Sequence, residues 1–180
     1  MIFFKPIHII AFLLAGIPLC AQNIYLDNSP KLDIACHENE IGNKCKIGSD
    51  NNFYLFTYTR PFEYFTEADT LHKDFITWKN SKIFIDSLCK LQTKNYTISF
   101  DLITAYSVNY KDKNYIILKG VNGFQIGSDQ QTFFIVLQNS GDNLDLRSTY
   151  LYDSPEVPND VIIEKKKKNI ILKSKYLKIQ

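Results

Sequence analysis

One stretch limits the fold more than any other. From Tyr96 to Tyr110 the even positions read Tyr96, Ile98, Phe100, Leu102, Thr104, Tyr106, Val108 and Tyr110, and the odd ones Thr97, Ser99, Asp101, Ile103, Ala105, Ser107 and Asn109. Such alternation belongs to an extended strand with one face buried and the other mostly wet. The strand is long enough to bend or to switch sheets midway. Lys111–Asn114 follows as a turn, and Tyr115–Lys119 returns as the next strand. That turn sets Tyr110 opposite Tyr115 and Val108 opposite Ile117.

The remaining pattern repeats the theme. Thr132–Leu137 is apolar on both parities, as in a central strand covered on both faces. Asn139–Asn143 is a loop, after which Leu144, Leu146, Tyr150 and Tyr152 share one parity against Asp145, Arg147 and Thr149. Phe53–Tyr58 is aromatic and apolar enough for a strand, and Asp33–Cys36 and Phe124–Ile126 are further candidates. A final hairpin joins Val161–Glu164 to Asn169–Ile179, with residues 23–32 as an irregular lead-in. One segment breaks the series: Lys82, Asp86 and Lys90 fall at helical spacing, with Ile83, Phe84, Ser87, Leu88 and Leu91 on the other face and Asn80 and Ser81 free to cap. It predicts a short helix over residues 82–91, against a competing strand at Lys82–Ile85. The expected class is mainly β, an antiparallel β-sandwich or open barrel with that one helix, with α+β as the alternative.

Residues 1–21 have the form of a secretory signal peptide: Lys5, an apolar run from Ile7 to Leu19, then Cys20 and Ala21 before the polar Gln22. The run is shorter than the roughly 20 residues a membrane-spanning helix needs. A retained anchor and a lipid on Cys20 are the weaker readings, the second because Leu19 stands where lipidation prefers a small residue. Residues 22–180 then form a single β-rich domain. The chain has 180 residues, 45% hydrophobic and 22% charged, and a formal net charge of +2, which selects no nucleic-acid partner. Charge is nonetheless uneven: residues 161–180 carry seven Lys against Glu164 alone, with the Lys165–Lys168 run at their centre. A solvated hairpin turn accounts for the run better than a surface for anions does.

An exported chain meets an oxidising compartment, so a disulfide between Cys36 and Cys45 is expected, with Gly42 and Asn43 turning the chain between them and Cys89 left as a buried thiol. No metal site is expected: zinc needs four ligands, the chain after Ala21 has only His37 and His72, and no Cys-x-x-Cys pair exists. No cofactor is expected either, because Gly120, Gly123 and Gly127 lack the spacing and following helix of a phosphate-cradling loop. Gln138–Asp145 lacks the acids of a calcium loop and suits a hairpin turn.

His72, among Glu67, Asp69 and Asp74, with Cys89 as nucleophile, is the one conceivable catalytic pair, and nothing in the spacing demands it. Aromatic density is the more unusual feature. Phe53–Tyr58 suits a core, whereas Arg60, Phe62, Tyr64 and Phe65, in a loop opened by Pro61, suit a contact surface. The expectation is an exported, non-catalytic binding protein that contacts a protein partner, of the kind a periplasmic inhibitor or immunity-type protein would be, with no membrane span after processing. A small secreted hydrolase using His72 and Cys89, and an envelope lipoprotein with a structural role, are the alternatives.

Overall fold

The computed structural model describes residues 24–58, 74–85, 100–122, 131–153, 158–166 and 169–179, and every regular element in them except one 3-10 turn (Leu26–Asn28) is a strand. In chain order these are β1 (Ile24–Tyr25), β2 (Lys31–Leu32), β3 (Ile34–Glu38), β4 (Gly42–Ile47), β5 (Phe53–Tyr58), β6 (Phe75–Trp78) and β7 (Ser81–Phe84). There follow β8 (Phe100–Tyr110), β9 (Lys113–Asn122), β10 (Thr132–Ser140), β11 (Asn143–Tyr152), β12 (Ile162–Lys165), β13 (Ile170–Lys173) and β14 (Leu177–Ile179). They make three antiparallel sheets: a central six-stranded one ordered β14-β11-β10-β9-β8-β2, a five-stranded one ordered β3-β4-β5-β6-β7, and a three-stranded one ordered β1-β12-β13. The chain is thus mainly β and sandwich-like.

The central sheet is covered on both faces. Phe133, Ile135 and Leu137 of β10, with Ile116 and Leu118 of β9, pack against Cys45, Ile47, Phe53, Leu55 and Ile76 of the five-stranded sheet. Phe134 and Val136, with Tyr115 and Ile117, pack instead against Ile163, Ile170 and Leu172 of the three-stranded sheet. Apolar residues on both parities of β9 and β10 are what a middle layer requires.

The long alternation holds as a strand from Phe100, residues 96–99 lying outside the described residues, but its even positions do not all face one core. Phe100 and Leu102 join the core under the five-stranded sheet; Tyr106 and Val108 join the other. A bulge makes the switch: Leu102 pairs with Gly120 and Thr104 with Lys119, leaving Ile103 as an extra residue, 53% exposed. β11 repeats the device. Val136 pairs with Ser148 and Leu137 with Leu146, so Arg147 is the extra residue. Leu144 accordingly faces one core while Tyr150 and Tyr152 face the other.

Several expectations are corrected. The described part of the expected helix over residues 82–91 is β7, in which Trp78 pairs with Ser81 and Phe75 with Phe84; residues 86–91 lie outside the described residues. Lys82 and Phe84 alternate with Ile83 and Ile85 as well at period two as they space along a helix, and Lys79, at φ +47°, turns the hairpin where Asn80 and Ser81 read as caps. The turn after β8 has two residues, Lys111 and Asp112, not four, so Val108 meets Tyr115 and Tyr106 meets Ile117. Lys111 takes φ +48° to close it.

Gly42 and Asn43 lie in β4, and the turn before them is built by Asn39, whose Oδ1 accepts from the N–H groups of Ile41 (2.9 Å) and Gly42 (3.0 Å). The Cys36–Cys45 disulfide closes the β3–β4 hairpin, its Cα atoms 3.9 Å apart in directly paired positions. The last hairpin ends at Lys173: the chain turns over Ser174–Tyr176, and β14 crosses to the edge of the central sheet. Gln138–Asp145 does form a hairpin, with Gly141 at φ +77° in its turn.

Two seams join the five-stranded and central sheets. At one edge the chain passes from β2, paired with β8, directly into β3, and Gly48 N–H donates to the Asp33 carbonyl (2.7 Å). At the other, Trp78 Nε1 donates to the Gly141 carbonyl (2.9 Å), Leu144 N–H donates to Ser81 Oγ (3.0 Å), and Lys79 pairs with Asp142 (2.6 Å).

Candidate functional site

β5 alternates with large side chains on both parities. Phe53, Leu55 and Thr57 are buried, and Tyr54, Phe56 and Tyr58 are half-buried on the face turned away from the central sheet. The core-filling expectation for Phe53–Tyr58 therefore holds for Phe53 and fails for the other three aromatic rings, because a strand divides consecutive side chains between two faces.

The outer face is an aromatic row. Phe56 pairs with Phe75, which pairs with Phe84 on β7. The Phe56 and Phe75 rings stack at 5.4 Å with an interplanar angle of 20°, and Phe84 meets Phe75 edge-on at 6.5 Å. Tyr54 and Tyr58 extend the row at 6.3 Å from Phe75 and 4.9 Å from Phe56. Phe84 remains 42% exposed. Gly42 makes room: a Cβ there would lie 2.9 Å from the Phe56 ring and 2.3 Å from the Thr57 carbonyl oxygen.

Lysines rim the rings. Lys44 Nζ lies 4.0 Å from the Tyr54 centroid, and Lys82 Nζ lies 3.8 Å from Phe75 and 5.1 Å from Phe84. Each such contact is worth about 0.5–1 kcal/mol at an exposed site. Among the described residues no carboxylate pairs with Lys44 or Lys82. The face thus offers flat apolar area and positive charge together.

The predicted contact residues Arg60, Phe62, Tyr64 and Phe65 lie outside the described residues, as do His72 and Cys89. The segment that carries the first four, with His72, leaves the sheet at Tyr58 and re-enters at Asp74. Asp74 fixes both ends. Its side chain is fully buried, Oδ1 accepts from Tyr58 N–H (2.9 Å), and its carbonyl accepts from Ile85 N–H (2.8 Å). Among the described residues no three His, Cys, Asp or Glu side chains converge as a metal site, and no helix is long and apolar enough to cross a membrane.

Sequence reasoning missed the Phe56–Phe75–Phe84 row. One signal was available: Phe75 and Phe84 stand equally far from the Lys79-Asn80 pair, so reading that pair as a hairpin turn sets the two rings opposite each other. No family model, no curated protein and no solved structure matches this chain.

Proposed function

We propose that the chain is an exported, non-catalytic binding protein whose protein partner docks on the outer face of the five-stranded sheet. The observation that carries this reading is the Phe56–Phe75–Phe84 row with Lys44 and Lys82 over it. Clustered aromatic rings with a polar rim are the composition of a protein interface centre. The lysines fit a partner surface rich in carboxylates, as an inhibitor or immunity-type protein would meet on a basic-binding target. Export is supported by the signal-peptide form of residues 1–21 and by the Cys36–Cys45 disulfide, a bond suited to an oxidising compartment. Arg60, Phe62, Tyr64 and Phe65 belong to the same reading, since their segment starts and ends beside the aromatic row.

The test is site-specific photocrosslinking in the producing cell. A photoreactive phenylalanine at position 84 should trap one protein, and the same group at position 103, on β8, should not. Lys44→Glu with Lys82→Glu should abolish the product, while Cys89→Ala leaves it intact. Equal trapping at both positions, or none at 84, overturns the reading.

A further inference from the structure

β3 is ordered without being packed. Of its five residues only Ile34 is half-buried; Ala35, Cys36, His37 and Glu38 are exposed, on both faces of the strand. What holds it is its pairing with β4 and the disulfide to Cys45, which is itself buried in the core. The hydrogen bonds to β4 run through odd positions. Gly48 N–H donates to the Asp33 carbonyl (2.7 Å) at one end, and Asn39 N–H to the Gly42 carbonyl (2.9 Å) at the other. Bonding alternates along an antiparallel strand, so the N–H and C=O groups of Ile34, Cys36 and Glu38 point the other way, out of the sheet. β3 stands at the end of the sheet order, and among the described residues no strand pairs with that side.

The other sheet edges carry devices that discourage strand addition. β1 and β2 are two residues long, and β7 and β14 carry Lys82 and Lys178. On β13 the Leu172 N–H is taken by the Tyr150 hydroxyl (3.2 Å). β3 has no lysine, no proline and no bulge. Its sequence also complements itself. An antiparallel pair of β3 strands centred on Cys36 sets Cys36 opposite Cys36, Ile34 opposite Glu38 and Ala35 opposite His37, so no like charges meet. A register shifted toward the turn sets Glu38 against Glu38, and one shifted toward β2 sets Glu38 against Pro30, which has no N–H to give. The centred register also carries the turn of each copy, with Glu40 and the 66% exposed Ile41, alongside Lys31 and Leu32 of the other. Among the described residues no ion pair holds Lys31 or Glu40.

We infer that β3 is a self-association edge, which pairs with β3 of a second copy about a two-fold axis at Cys36. The outward groups of Ile34, Cys36 and Glu38 then all find partners, in about six hydrogen bonds. The disulfide keeps the strand extended before the second copy arrives, so little chain freedom is lost on pairing. The axis stands perpendicular to the sheet, and the two five-stranded sheets become one continuous sheet with both outer faces on the same side. Each copy brings the register row His37–Lys44–Phe56–Phe75–Phe84 to that side. The dimer therefore doubles the face assigned above to a protein partner, and the pairing itself does not rest on that assignment.

Sedimentation velocity and residue-resolved amide hydrogen exchange of the purified exported chain, disulfide intact, test the inference. The interface is small, so dimer should form at about 100 µM and dissociate on dilution to about 5 µM. Over the same range exchange at Ile34, Cys36 and Glu38 should slow as dimer accumulates, and exchange at Lys82, on the β7 edge, should not. Glu38→Pro removes one outward N–H and leaves the bonds from β3 to β4 in place, so it should give a folded monomer at every concentration. Glu40→Lys should weaken the dimer severalfold, and adding Lys31→Glu should restore it. Monomer up to about 1 mM, slowed exchange at Lys82 instead of β3, dimer undiminished by Glu38→Pro, or no recovery in the charge-reversed pair overturns the inference.

Discussion

Gly120 and Phe100 show how much one side chain depends on another far along the chain. A Cβ on Gly120 would lie 2.3 Å from the Phe100 ring, which is fully buried. Gly120→Ala alone should cost about 1–3 kcal/mol, as overpacking, and Phe100→Ala about 3–5 kcal/mol, as a cavity. In the double variant the added methyl enters the vacated space, so urea melts should give a loss well below the sum. Additivity to within about 0.5 kcal/mol would contradict this packing. In the sequence Gly120 looks only like punctuation, because its need for close approach is set by a residue on another strand.

Asp160 makes a different case at the same scale. Burial pushes its carboxyl up, but hydrogen bonds from Ser174 Oγ (2.6 Å), Tyr152 Oη (2.8 Å) and the backbone outweigh that and hold it below the ordinary value of 3.8. These bonds favour the charged form in the folded state only. Their stabilisation is therefore present above the ordinary carboxylate range and is lost as pH falls below about 4. Asp160→Asn should be less stable at neutral pH and should lose less on acidification, measured as melting temperature against pH.

Among elements, β8 and β11 carry the main lesson about what alternation reveals. The pattern from Tyr96 to Tyr110 named a strand and named its apolar members. It could not show that Ile103 is an extra residue, because even positions stay apolar on both sides of it. The reason is physical: both faces of the central sheet are buried, so one sequence parity can serve first one core and then the other. Deleting Ile103 removes the bulge and leaves every neighbour on its present face. Deleting Ser107 turns Val108 and Tyr110 over. The first variant should fold with a melting temperature near that of the parent, and the second should lose most of its stability. A reversed order would mean that the register across β8 and β9 is wrong. The β6–β7 hairpin was hidden for a related reason, since Lys82, Ile83 and Phe84 fit a short helix and a short strand equally well. The sequence singled out the segment after β5 as a contact surface and missed the row beside it, because pairing three rings across three strands requires registers that no single strand contains.

At the scale of the whole molecule, the two edges of the five-stranded and central sheets are joined in different ways. The chain itself stitches one edge of the five-stranded and central sheets by running from β2 into β3. Among the described residues the opposite edge shows no such continuity and is joined by the contacts of the β6–β7 turn with the β10–β11 turn. Trp78 is part of that joint, its indole N–H on the Gly141 carbonyl and its ring 5.2 Å from Phe53 in an edge-on contact. It is also the only tryptophan in the chain. Tryptophan fluorescence, excited at wavelengths the eleven tyrosines do not absorb, is consequently not an average over the fold. It is a gauge fixed to one joint, sensitive to the parting of two layers and blind to fraying of the β12–β13 hairpin in the third.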